Sequence, residues 1–201
     1  MAEQYFTRKP SAAHRVLEFT ALLRGRRFTF RTDSAVFSRR EVDAGTRLLI
    51  DSLEVRPSES LLDLGCGYGP IGVAIAATVE GAHVVMTDVN RRAVALARRN
   101  AAANGVAADV REGALYEPVA GISFDHIASN PPIRAGKAIV HGIVDGASAH
   151  LRERGSLWLV VRTQQGAPSL TQKMEDVFGN AEVVARGGGF RVLRSEGAGN
   201  P

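Results

Sequence analysis

Three short clusters in this 201-residue chain carry side chains able to do chemistry. The first, Asp63-Leu64-Gly65-Cys66-Gly67-Tyr68-Gly69-Pro70, sets a carboxylate beside three alternating glycines. Glycines permit a tight strand-to-helix turn and let a ligand approach backbone N–H groups. The second is Asp88, 19 residues after Gly69 and followed by Val89. A carboxylate at that distance, ending the next strand, can bind both hydroxyls of a ribose. The third is Ser129-Asn130-Pro131-Pro132-Ile133. The exocyclic amine of a base, or an amide nitrogen, is a poor nucleophile because its lone pair is delocalised. The Asn130 side-chain oxygen and the Pro131 carbonyl can each accept one of its N–H bonds. That pulls the nitrogen towards sp³ geometry and aims its lone pair at an electrophilic methyl. Two consecutive prolines hold such acceptors in place before the substrate arrives.

A glycine loop combined with a strand-end carboxylate points to a cofactor that contains a nucleoside. Gly67-x-Gly69-x-x-Gly72 also matches the dinucleotide fingerprint, so NAD is the competing ligand. Asp63 would repel a pyrophosphate, and Pro70 removes one of the helix-start N–H donors that would cradle it. A ligand with an ammonium and a sulfonium suits Asp63 better, and S-adenosyl-L-methionine carries both. Cys66 lies inside the loop with no histidine or other base near it in sequence, so it reads as a small packing residue. The five histidines (His14, His83, His126, His141, His150) show no ligand spacing, and no metal is expected.

The elements that would position these groups alternate regularly. Residues 15–32 read as a β-hairpin or as a short helix leading into a strand, and Val42 to Leu53 as a helix closed by Pro57. Strands are expected at 60–64, 83–87, around 109–110, at 124–129 and at 156–161. Helices are expected over 70–79, 91–103, 137–151 and 168–178. Segments 181–185 and 190–195, joined by Gly187-Gly188-Gly189, read as a closing antiparallel hairpin. This alternation predicts an α/β fold, a parallel sheet covered by helices on both faces. The expected organisation is an N-terminal extension over 1–56, a cofactor-binding domain over 57–196 and a tail over 197–201.

Composition adds exclusions. Hydrophobic residues make up 45% of the chain and charged ones 23%, ordinary for a globular protein. No apolar run approaches the roughly 20 residues of a membrane span, and the first ten residues lack the apolar segment of a signal peptide. A lone cysteine cannot form an internal disulfide, which points to a reducing cytoplasm. Nine basic residues between Arg8 and Arg40 face only Glu18 and Asp33, whereas residues 57–201 hold 14 basic and 14 acidic side chains. A basic arm on a neutral body suggests nucleic acid as partner, although 22 of the 25 basic residues are arginine, as a coding bias could also produce. On that reading Arg24, Arg26, Arg27 and Arg39 grip the nucleic acid. Arg134 and Lys137, just after the acceptor loop, hold a phosphate near a flipped base. Phe37 either covers the cofactor or target or is a core aromatic.

Asp63 to Gly69 resembles the first motif of the class I S-adenosylmethionine-dependent methyltransferases. The resemblance implies that Asp63, Gly65, Cys66, Gly67 and Gly69 surround the methionine end. It implies that Asp88 and Val89 lie at the ribose, that Gly113 and Ala114 line the adenine, and that Asn130 also touches the cofactor. Asn130-Pro131-Pro132-Ile133 is similar to the Asn-Pro-Pro-aromatic motif of amino-methyltransferases acting on adenine N6, guanine N2 or glutamine side-chain nitrogen. Here Ile133 replaces the aromatic that stacks on the target. The flanks narrow the resemblance: Thr32 to Ser38, Val42-Asp43-x-Gly45-Thr46, Asn130 to Lys137 and Gly189 to Arg194 together resemble the small-subunit ribosomal RNA guanine-N2 methyltransferases of the RsmC type. This implies a Rossmann-like class I methyltransferase fold, with a mostly parallel seven-stranded sheet and an antiparallel C-terminal hairpin strand. It also implies direct methyl transfer to the N2 amine of a 16S ribosomal RNA guanine, with S-adenosyl-L-homocysteine as product. Asn130, Pro131, Pro132 and Ile133 are then the catalytic set. The implied partner is ribosomal RNA or a ribosomal particle, and the chain acts as monomer or homodimer. Protein glutamine or DNA adenine methylation is the alternative within enzymes. A non-catalytic RNA-binding or assembly module on the same fold is the other, against which the intact Asp63, glycines, Asp88 and Asn130 argue.

Overall fold

A computed structural model describes residues 16–33, 41–131 and 136–197. The first segment resolves to a hairpin. β1 (Leu17–Leu23) pairs antiparallel with β2 (Arg26–Thr32). The two connecting residues, Arg24 and Gly25, both have positive φ, as a tight two-residue hairpin turn requires. After α1 (Ala44–Ser52) come β3 (Ser60–Leu64), α2 (Pro70–Thr78), β4 (His83–Asp88), α3 (Arg91–Ala103), β5 (Asp109–Glu112), β6 (Phe124–Ser129), α4 (Lys137–Ala147), β7 (Leu151–Arg162), α5 (Ala167–Phe178), β8 (Glu182–Gly187) and β9 (Phe190–Glu196). The seven strands β3 to β9 form one sheet in the order β5-β4-β3-β6-β7-β9-β8. β3 to β7 are mutually parallel, and β9 lies antiparallel between β7 and β8.

The elements match the sequence expectation except between α4 and β7. The helix stops at Ala147, and the strand begins at Leu151 rather than 156. Phe124 pairs with Leu151 but His126 with Ser156, so β7 accommodates extra residues in a bulge. Gly155 permits this, because a Cβ there would press to within 3.0 Å of the Phe124, Asp125 and Arg152 carbonyl oxygens.

Alternation along the strands sends Leu61, Met86, Ala128, Trp158 and Val192 to one face, where α1, α2, α3 and the β1–β2 hairpin pack. Leu62, Ile127, Leu157, Leu159 and Leu193 go to the other face, under α4 and α5. The hairpin contributes Ala21, Leu23, Phe28 and Phe30 to the first of these layers. Two asparagines one turn apart, Asn100 on α3 and Asn104 capping it, fasten the hairpin's edge. Asn104 accepts from the Thr29 N–H at 3.0 Å and donates to its carbonyl at 2.8 Å. Asn100 does the same for Arg31, at 2.8 and 3.0 Å. Side chains thus continue the backbone ladder where no further strand exists.

The parallel strands all end at one edge of the sheet, and α2 and α3 run back to end at the other. The hairpin tip sits at that far edge. Arg24 donates to the carbonyls of Ile50 and Leu53, both at 3.0 Å, and so caps the end of α1. Arg26 donates to Ala77 at 2.9 Å and Asn104 at 3.3 Å, bridging the ends of α2 and α3. Unpaired carbonyls with negative partial charge collect at helix C-termini, and guanidinium groups answer them. These contacts bear on the arginines expected to grip nucleic acid, Arg24, Arg26 and Arg27. Two are spent on helix ends, and all three lie away from the edge where the strands end. No helix among the described residues is long and apolar enough to cross a membrane.

Candidate active site

At the edge where the strands end, the loop after β3 turns back over Asp63. Gly65, Gly67 and Gly69 all have positive φ; Gly69 is also pressed between Ala97 and Met86, which would meet a Cβ at 3.2 Å. The N–H groups of Gly65 and Cys66 both donate to the Thr87 carbonyl, at 2.8 and 2.9 Å. Asp88 secures the outer part of the loop: one oxygen accepts from Gly67 at 2.8 Å and the other from Asn90 at 2.8 Å. Gly113, after β5, donates to the Asp88 carbonyl at 3.1 Å, and Ala114 follows it at the same edge. Gly67, Asp88, Val89 and Ala114 are half-buried, as groups lining a cleft should be.

Asp63 lies beneath this loop rather than beside it. The carboxylate has no exposed surface, because β3 is covered on both faces. One oxygen accepts from the Gly72 N–H at 2.9 Å; the other, Oδ1, is buried without a partner. Burial raises its pKa to about 7, against the Gly72 hydrogen bond and helped by the Asp88 charge. Burial pushes Asp88 up as well, offset by its two backbone donors. Burial likewise pushes the Cys66 thiol up, with both carboxylates adding to the effect, so Cys66 stays protonated and packs. Pro70 has no N–H and Gly72 gives its own to Asp63, so this helix start is a poor phosphate cradle. Two carboxylates under and beside the loop favour a cation. Those features fit S-adenosyl-L-methionine better than a pyrophosphate.

Asn130 follows β6 at the same edge, half-buried. Its amide nitrogen donates to the Thr46 hydroxyl at 2.9 Å and approaches the Asp43 oxygens at 3.4 and 3.5 Å. Asp43 is the N-cap of α1, accepting from the Gly45 and Thr46 N–H groups at 3.1 Å. Thr46 gives its hydroxyl proton to Asp43 Oδ2 at 2.5 Å. Its oxygen can then only accept from Asn130, which fixes the amide with nitrogen towards α1 and leaves the side-chain oxygen for another donor. Sequence reasoning named Asn130 but assigned no role to Asp43 and Thr46; the visible signal was an aspartate with threonine three residues on, a helix-cap spacing.

The buried Pro131 follows Asn130, and Lys137 opens α4 at this edge, exposed. Pro132, Ile133, Arg134, Phe37 and Arg39 lie outside the described residues.

Comparison with known proteins agrees with this fold. The model of the methyltransferase small domain family matches residues 27–194. The chain is 42% identical over 199 residues to the uncharacterized protein YbxB of Bacillus subtilis, covering 98% of this chain and 99% of that one. It is 35% identical over 171 residues to ribosomal RNA small subunit methyltransferase C of Klebsiella pneumoniae, covering 83% of this chain and 49% of that one. Among solved structures, the T. thermophilus 16S rRNA N2 G1207 methyltransferase (RsmC), in complex with AdoMet and guanosine, superposes with a TM-score of 0.83 at 27% identity. That match covers 94% of this chain and 52% of the other. The chain thus spans about half the length of these two ribosomal RNA methyltransferases.

Proposed function

This chain belongs to the methyltransferase small domain family and is an S-adenosylmethionine-dependent class I methyltransferase of the RsmC-like type; from that premise we propose that it methylates the exocyclic N2 amine of a guanine in small-subunit ribosomal RNA. S-adenosyl-L-methionine, when bound, supplies a methyl group made electrophilic by its sulfonium. The glycine loop and Asp63 hold the methionine end, Asp88 the ribose, and Gly113 and Ala114 the adenine. The Asn130 side-chain oxygen accepts one N–H of the target amine and the Pro131 carbonyl the other, which turns the nitrogen lone pair outward. The proton leaves with or after the methyl transfer, so no covalent enzyme adduct is required.

The observation that carries this reading is the fixed amide of Asn130. Thr46 and Asp43 hold its nitrogen, leaving an acceptor oxygen at the same sheet edge as the glycine loop. An acceptor suits an amine substrate, whereas a hydroxyl or carbon nucleophile has less use for two. The relatives named as ribosomal RNA methyltransferases support guanine in RNA over the alternatives. Mass mapping of nucleosides in small-subunit RNA, with and without the protein, tests it. Loss of one N2-methylguanosine on deletion is expected. An unchanged nucleoside profile, or methylglutamine or methyladenine as product, would overturn the proposal.

A further inference from the structure

The arginines on β7, β8 and β9 differ in their partners, and at the start of β7 Arg152 pairs with Asp125 at 2.7 Å. Arg194, cross-strand from Trp158, is ringed by carboxylates: Glu182 at 3.3 Å, Glu54 at 3.9 Å, and Glu196. At the site edge, Arg162, Arg186 and Arg191 enter no ion pair among the described residues. Arg186 and Arg191 face each other directly across β8 and β9, where like charges oppose strand pairing. These three unneutralised guanidinium groups stand at the same edge, Arg162 on one face of the sheet and Arg186 and Arg191 on the other.

Arg162 is the best placed of the three. Exposed at the end of β7, it lies over the ring of its cross-strand partner Phe190, 4.7 Å from the centroid. Phe190 in turn covers Gly45, where an added Cβ would stand 2.6 Å from the ring. Gly45 sits between Asp43 and Thr46, the two residues that hold Asn130. Ser129 pairs with Leu159, so Arg162 shares a sheet face with Asn130 and stands one strand over and two residues further out. At about 3.3 Å per residue and about 4.8 Å between strands, their backbones are roughly 8 Å apart.

We propose that Arg162, stacked on Phe190 and backed by Arg186 and Arg191 at the same edge on the opposite sheet face, forms a phosphate-binding lip that takes the RNA backbone as the target base reaches Asn130. The inference rests on the reading of the protein as an RNA methyltransferase. A guanidinium pre-ordered on an aromatic face offers its N–H fork to a phosphate with little further ordering cost. A lip of three cations is of no use to a neutral glutamine side chain, which favours RNA over protein as occupant.

The test is the salt dependence of binding to a small-subunit RNA fragment, measured for wild type, the double variant Arg162→Ala/Arg186→Ala, Arg162→Lys, and Arg27→Ala at the far edge. S-adenosylmethionine affinity is measured in parallel as a check on folding. Each lost phosphate contact lowers the slope of log K against log salt by about 0.7 to 0.9. The double variant should therefore be shallower by roughly 1.5, with cofactor affinity unchanged, while Arg27→Ala and Arg162→Lys keep the wild-type slope. A wild-type slope in the double variant overturns the lip and leaves the RNA reading standing. A wild type that binds the cofactor but no RNA overturns both.

Discussion

The amide nitrogen of Asn130 donates to the hydroxyl of Thr46 at 2.9 Å across 84 positions of sequence, and that contact decides which way the amide faces. Thr46→Val removes the acceptor and frees the amide to turn. Turnover should fall by on the order of 100-fold while S-adenosylmethionine affinity stays near wild type, because misplacing a positioning group costs rate. Thr46→Ser should restore turnover. Single-turnover methylation alongside cofactor titration checks both, and equal loss of rate and affinity would contradict the assigned role.

Asp63 predicts a pH dependence of stability. Its folded pKa is raised from 3.8 to about 7, so between those values the folded chain keeps a proton that the unfolded chain has lost. The resulting stabilisation is full below about pH 4 and disappears as the pH rises through about 7, at up to about 1.4 kcal/mol per pH unit. Asp63→Asn should flatten that part of the curve in urea denaturation at pH 5, 6, 7 and 8. The same variant should weaken S-adenosylmethionine by removing a buried negative charge beneath a cationic ligand.

Arg24 and Arg26 should behave as helix caps. Replacing both by alanine is expected to cost about 1 to 2 kcal/mol in chemical denaturation, as lost charge-to-carbonyl hydrogen bonds would. The salt slope of RNA binding should not move. A stable double variant with a flattened slope would return them to the nucleic-acid interface.

Gly45→Ala should disturb two sites at once. Its Cβ would collide with the Phe190 ring, and overpacking of this kind costs about 1 to 3 kcal/mol. Phe190 also carries the Arg162 guanidinium, so a lowered melting temperature should come with a shallower RNA salt slope.

The glycine loop, Asp88 and Asn130 were legible in the sequence because each lies at a strand end, and strand ends follow from local pattern and spacing. The sheet was legible for the same reason, apart from the start of β7, where a bulge hides the strand from any simple alternation. Counting charges located nine basic residues near the N-terminus but could not tell a guanidinium in water from one on the Leu53 carbonyl. That difference depends on where three helices end. The hold of Thr46 on Asn130 was equally invisible, since it joins a helix cap to a strand end through a contact with no local signature. Arg162 passed unnoticed because its meaning lies in Phe190, 28 positions away.

The clasp of Asn100 and Asn104 on β2 also gives the molecule an internal clock. The amide hydrogens of Thr29 and Arg31 face no neighbouring strand, yet side chains of α3 shield both. Their exchange with deuterated solvent then reports when the hairpin lifts from α3, an opening that strand-to-strand amides within the hairpin need not register. Two backbone protons would time the undocking of an element that carries part of the core.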